Sequence, residues 1–168
     1  MKKITVFVFL VLVLCGCSRK PLQPDNLPKL IPCKIIITQD QAPLEGANVT
    51  LHSVTAGTQQ WISGGRTDVN GVAEIRTNGR YDGVPVGKFK VLVTKTEVEP
   101  SKLSPRPDEN DPNFPAWMAK SQNEVLPTYR LVDKQYANPQ TTPHELEISS
   151  SKPVTVTFDT GKKVREKM

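Results

Sequence analysis

Little in this chain suits catalysis or metal binding. Of 168 residues, only 3 are Cys and 2 are His, and aromatics make up 6%. No apolar stretch is long enough to span a bilayer. The longest runs from Ile4 to Cys15, 12 residues, against the roughly 20 that a spanning helix needs. No segment carries sustained helical periodicity, and no heptads or repeats recur. Together these absences exclude a coiled coil, a multi-span membrane protein and a large multidomain enzyme. What the chain does have is proline, 15 residues of it. That fits extended strands and turns far better than helices.

The N-terminus combines Met1-Lys2-Lys3, the short apolar stretch and Leu14-Cys15-Gly16-Cys17-Ser18. A basic start and a short apolar core form a secretory signal. Leu14-Cys15-Gly16-Cys17 resembles a bacterial lipobox, which implies cleavage after residue 16 and acylation of Cys17. More than one acyl chain is needed for stable anchoring, and lipobox proteins carry several. The expected partner of Cys17 is therefore the membrane. Ser18 in place of Asp favours the outer membrane, on its periplasmic side. Formal net charge is +5, and loss of Lys2 and Lys3 with the signal leaves +3. That surplus is modest and not gathered into a stripe, so nucleic acid is not an expected partner.

Cysteine usage then becomes simple. Cys15 leaves with the signal and Cys17 is acylated, so Cys33 has no disulfide partner, and no zinc site can be built on cysteines. Cys33 is expected to be a small buried hydrophobe. No cofactor is implied.

The mature chain divides by its prolines. Residues 17–30 form a lipidated tether containing Pro21, Pro24 and Pro28. Residues 31–160 carry seven candidate strands. Cys33–Thr38 is almost continuously apolar, as in a strand buried on both sides. Ala47–His52, Lys88–Thr94 and Val154–Asp159 alternate with period two. Gln59–Ser63 around Trp61, Val72–Arg76 and Glu145–Ile148 complete the set. Asp68-Val69-Asn70-Gly71 supplies a tight turn. Seven short strands with frequent turns predict an all-β, antiparallel sandwich.

Residues 95–129 interrupt it with Pro100, Pro105, Pro107, Pro112, Pro115 and Pro127. A loop this long in a compact domain is functional or disordered. A helical turn near Ala116–Ser121 is expected inside it. Its Phe114, Trp117 and Met118, together with Trp61, are the candidate binding residues, since aromatics anchor proteins or stack on sugars. Residues 161–168 form a basic tail expected to be solvated and frayed.

Pro43-Leu44-Glu45-Gly46-Ala47-Asn48-Val49, Thr67-Asp68-Val69-Asn70-Gly71 and Asp82-Gly83-Val84-Pro85-Val86-Gly87-Lys88-Phe89-Lys90-Val91 follow one another in an order that resembles carboxypeptidase regulatory-like domains. Leu126-Pro127-Thr128-Tyr129 and Thr141-Thr142-Pro143 resemble the later part of a lipoprotein subset of that family from planctomycete-type bacteria. The resemblance covers roughly residues 33–160. It implies a seven-stranded transthyretin-like (prealbumin-like) β-sandwich that is not itself catalytic. The family usually has a large apolar residue where this chain has Ala73, so the space is expected to be filled from elsewhere, with Trp61 as the candidate.

Other motifs fail on their own chemistry. His52 falls on the outward face of its strand without a positioned partner. Asp68–Gly71 begins like a calcium loop but lacks the later ligands. Ser149-Ser150-Ser151-Lys152 has the Ser-x-x-Lys spacing, but Pro153 and a strand follow it where a helix is required. The hydrolases of the transthyretin fold end in Tyr-Arg-Gly-Ser, and this chain ends Arg165-Glu166-Lys167-Met168. The expected function is thus a non-catalytic, lipid-anchored envelope module that binds an envelope protein or plays a structural part. The alternative is a polysaccharide-binding module.

Overall fold

A computed structural model describes residues 23–54, 60–149 and 152–168. The expected signal, Cys17 and the first part of the expected tether lie outside the described residues. Seven strands build a β-sandwich: β1 (Cys33–Gln39), β2 (Asn48–Ser53), β3 (Ser63–Arg66), β4 (Val72–Glu74), β5 (Gly87–Thr94), then, after the 95–130 excursion, β8 (Glu145–Ile148) and β9 (Val154–Asp159). The excursion holds β6 (Thr96–Val98), α1 (Phe114–Gln122) and β7 (Thr128–Arg130), and the chain closes with β10 (Glu166–Lys167).

One sheet runs β8-β5-β2-β3 and continues into a hairpin of Arg76–Thr77 with Tyr81–Asp82. The other runs β9-β1, with β4 and the Ala42–Pro43 bridge on the far side of β1. Alternation explains the layers. β2 turns Val49, Leu51 and Ser53 inward, and β5 turns Phe89, Val91 and Val93 inward. They meet Cys33, Ile35 and Ile37 of β1, Ala73 of β4, and Leu146 and Ile148 of β8. Val154, Val156 and Phe158 of β9 are half-buried against this core. Fully burying each of the Val, Leu, Ile and Phe side chains among them contributes about 1.5–3 kcal/mol.

Four expectations need correction. β1 is not buried on both sides: Cys33, Ile35, Ile37 and Gln39 face the core, while Lys34 stands in solvent against Glu74 at 2.9 Å. The sandwich is not wholly antiparallel, because β9 runs parallel to β1 from Val154↔Cys33 to Asp159↔Thr38. Periodicity reports which face is buried but not strand direction, and the chain reaches β9 only after crossing the whole other sheet. The strand placed around Trp61 begins at Ser63 instead, where Ser63 and Gly64 pair with both β2 and Arg76–Thr77. Residues 55–59 lie outside the described residues. Finally, Trp61 does not fill the space beside Ala73. Ala73 is enclosed by the core, directly opposite Ile35, whereas Trp61 is half-buried and outside that core.

The Asp68 turn forms as its sequence requires. The Asp68 carboxylate accepts from the amides of Asn70 and Val72, both at 2.9 Å. Gly71 takes φ +74° where a Cβ would lie 2.5 Å from the Ile37 carbonyl oxygen. Only glycine fits both the left-handed backbone and the close approach.

Candidate functional site

The 95–129 segment is ordered into a long hairpin with a neck and a head. In the neck, β6 and β7 pair antiparallel, Thr96↔Arg130 to Val98↔Thr128. The Leu131 amide donates to the Lys95 carbonyl, and the Glu99 amide to the Pro127 carbonyl. The buried Gln39 side chain donates from Nε2 to the Leu131 carbonyl at 2.9 Å, which ties the neck to the sandwich.

The basic tail is not frayed. β10 adds to β7 as a third strand, Tyr129↔Lys167 and Arg130↔Glu166. Arg165 covers the Tyr129 ring and reaches Glu97 at 3.7 Å, and Arg130 reaches Glu166 at 3.3 Å. A two-residue strand has no periodicity to read, so composition alone suggested a free end.

The head, residues 100–126, carries α1. The helix covers Phe114–Gln122, longer than the expected turn at Ala116–Ser121. Pro115 sits in the first turn, where its missing N–H costs nothing. Lys120 lies in the last turn, where a cation suits the helix dipole. The Asn123 side chain donates to the Ala119 carbonyl at 2.7 Å. Phe114, Trp117, Met118 and Ser121 are half-buried and fall at helical spacing on one stripe, yet no residue of the helix is fully buried.

That stripe faces the head's own ascending arm. The Trp117 indole N–H donates to the Ser104 carbonyl at 2.9 Å. The Phe114 and Trp117 rings stack at 6.4 Å, and Arg106 lies over Phe114 at 5.4 Å while pairing with Glu109. Glu124 accepts from the Ser101 hydroxyl and the Lys102 amide. The aromatic cluster therefore fastens the head onto itself. The opposite helix face, Pro115, Ala116, Ala119, Lys120 and Gln122, is exposed, and Val125 just beyond it is 91% exposed. Sequence reasoning passed over Val125, since a single valine between Glu124 and Leu126 carries no pattern.

Trp61 is elsewhere. With Ile62 it lines a groove of about 360 Å³ along β2, beside Thr50, Leu51, His52 and Ser53. Trp61 is thus not brought together with Phe114, Trp117 and Met118 in this groove. His52 is exposed, as its outward position required. The other histidine is less ordinary. His144 lies between Tyr136, on which it stacks, and Phe158, whose ring is tilted against it, with ring centroids at 4.9 and 4.8 Å, and its Nε2 is buried without a hydrogen-bond partner. Burial holds this imidazole below its ordinary value, against the opposing pull of a hydrogen bond to the Asp159 backbone and the Asp159 charge. Cys33 is buried, and burial pushes its thiol up to about 11. Among the described residues, no His, Cys, Asp and Glu gather into a group that could hold a metal.

No family model matches the chain, and no curated protein matches it. Two solved structures are similar in part. The major pilin subunit of Bacillus cereus, BcpA*(D312A), aligns at TM-score 0.41 and 15% identity, over 81% of this chain and 31% of that one. A 9R-lipoxygenase from Cyanothece PCC8801 aligns at TM-score 0.32 and 19% identity, over 85% of this chain and 18% of that one. The chain spans less than a third of either. With TM-scores this low, neither neighbour defines fold or function, and the sandwich rests on its own strand pairing.

Proposed function

We propose that this chain is a non-catalytic module of the bacterial cell envelope, anchored by acylated Cys17 and presenting the 100–126 head as its contact surface. The lipobox-like Leu14-Cys15-Gly16-Cys17 and the ordered run of motifs similar to carboxypeptidase regulatory-like lipoproteins support the setting. The observation that carries the contact role is the helix with no fully buried residue, held on a neck that three strands and the Gln39 amide brace. A helix needed only for stability would press its apolar stripe into the sandwich core. This one turns the stripe onto its own arm and leaves the face of Pro115, Ala116, Ala119, Lys120 and Gln122, with Val125 beyond it, in solvent.

The test is to replace residues 101–125 with a short Gly-Ser linker in the full chain. The melting temperature of the sandwich should stay nearly unchanged, and in-cell crosslinking to an envelope component should disappear. A large fall in melting temperature, or unchanged crosslinking, would overturn the assignment.

The second reading is a polysaccharide site at Trp61. It is favoured by an indole set in a groove beside the exposed hydrogen-bonding side chains of Thr50 and His52, a combination that suits a sugar face and its hydroxyls. Envelope polysaccharide should then shift the tryptophan fluorescence of the Trp117→Phe protein but not of the Trp61→Phe protein.

A further inference from the structure

The sandwich has two neighbouring edges that differ in how they are protected. Exposed strand edges invite pairing with another chain, and proteins blunt them with charge, proline or cover. The β8 edge is blunted: its outward Glu145 and Glu147 pair with Lys90 and Lys88 of β5. The far side of β1 is covered by β4 and the Ala42–Pro43 bridge. The central part of β9 has neither device; only at its end does Asp159 add a charge and His144 reach the strand's backbone. Val154-Thr155-Val156-Thr157-Phe158 carries no charge and no proline, and its residues are of the types that favour strands.

The geometry of that edge is specific. The amides of Val154 and Thr160 donate to the carbonyls of Pro32 and Thr38 on the β1 side. In a parallel ladder the alternate residues then face away, so Thr155 and Thr157 present their N–H and C=O groups outward. Both are exposed, and neither has a partner on that side among the described residues.

We propose that two copies of this chain associate antiparallel through the outer edges of β9, centred on Val156, to form a two-fold symmetric dimer with one continuous sheet. The strand is self-complementary in this register. Thr155 falls opposite Thr157 of the second copy, and each pair exchanges both backbone hydrogen bonds. Val156 falls opposite Val156, and Val154 opposite Phe158, so apolar meets apolar on the inner face and threonine meets threonine outside. A one-residue slip would set threonine against valine and turn the two inner faces to opposite sides. The antiparallel direction also brings the basic end of one strand, at Lys152, to the acidic end of the other, at Asp159. A two-fold contact of this kind closes on itself and does not propagate into fibres.

The test uses charges placed at the two exposed threonines of the full chain in mild detergent, with mass read by sedimentation and folding by circular dichroism. The wild type should show a concentration-dependent doubling of protein mass. Thr155→Lys/Thr157→Lys sets lysine opposite lysine and should be monomeric with an unchanged melt. Thr155→Lys/Thr157→Glu sets lysine opposite glutamate and should dimerise again. Thr155→Glu/Thr157→Glu repeats the repulsion with the other sign, so a single misfolded variant decides nothing. Mixed with the double-lysine protein, it should form a heterodimer. A monomeric wild type, association that survives both like-charge variants, or a lysine–glutamate variant that stays monomeric would each overturn the proposal.

Discussion

The guanidinium carbon of Arg165 lies 3.6 Å from the centroid of the Tyr129 ring. The contact joins the last residues of the chain to the neck of an excursion that began some seventy residues earlier. Arg165 also reaches Glu97 on the other strand of that neck. A single side chain therefore spans the hairpin that carries the head, and the C-terminal segment is a brace.

Removing the brace should loosen the neck while sparing the sandwich. Arg165→Ala should cost about 1 kcal/mol or less, the scale of a partly exposed cation–π contact. Global unfolding should barely register that loss, because the core contributes nothing through Arg165. Limited proteolysis should register it, with faster cleavage between residues 99 and 127 and an intact sandwich fragment. Equal cleavage in the two proteins would show that the neck stands without the brace.

A second relationship closes the sandwich at its other side. A Cβ added to Gly65 of β3 would lie 2.6 Å from the Glu74 carbonyl oxygen of β4. These strands belong to different sheets, so their approach sets the spacing of the two layers at that corner. Gly65→Ala should force them apart and destabilise the fold by about 1–3 kcal/mol, as overpacking does. Urea unfolding should show a lower midpoint with an unchanged slope. A midpoint equal to wild type would mean that the corner yields freely.

The legible and illegible parts of this chain separate on physical grounds. β2 and β5 alternate cleanly, because each has one face on the core and the other turned outward, which is what a period of two reports. β3 reads Ser-Gly-Gly-Arg, which no strand pattern would select. It is a strand because β2 and Arg76–Thr77 pair with it and because Gly65 permits the approach to β4. The parallel direction of β9 was equally hidden, since alternation is the same in either direction. In the head, Phe114, Trp117 and Met118 are at helical spacing and do share a stripe. That the stripe faces its own arm depends on the Ser104 carbonyl and Arg106, which are contacts of tertiary structure.

His144 should make the fold acid-sensitive in a window of its own. Its imidazole is held below the ordinary 6.5 chiefly by burial between Tyr136 and Phe158. The folded state therefore binds the proton less readily than the unfolded state. The stability this contributes is fully present above 6.5 and is lost as pH falls through the lower folded value. Glu74 and Glu145, held below 4.5 by Lys34 and Lys90, add their losses only at more acid pH. His144→Phe keeps an aromatic ring in the stack and removes the titration. Its melting temperature should be flat between pH 7 and the carboxylate range, about 4.5, where the wild type declines. A wild-type profile as flat as that of the variant would refute the role given to His144.

Cys33 should behave as an inert core side chain. The thiolate is the reactive species, and burial pushes this thiol up to about 11, so almost none is ionised at neutral pH. In β1 it also faces the core, where a reagent reaches it only when the strand opens. A Cys15→Ala/Cys17→Ala copy leaves Cys33 as the one thiol of the sequence and makes the measurement clean. At neutral pH this protein should resist a thiol-specific reagent while folded and react once denatured. The folded labelling rate should follow global unfolding and rise with urea in step with the loss of β-structure. Fast labelling of the folded protein at a rate independent of urea would instead place Cys33 in solvent and remove β1 from the core.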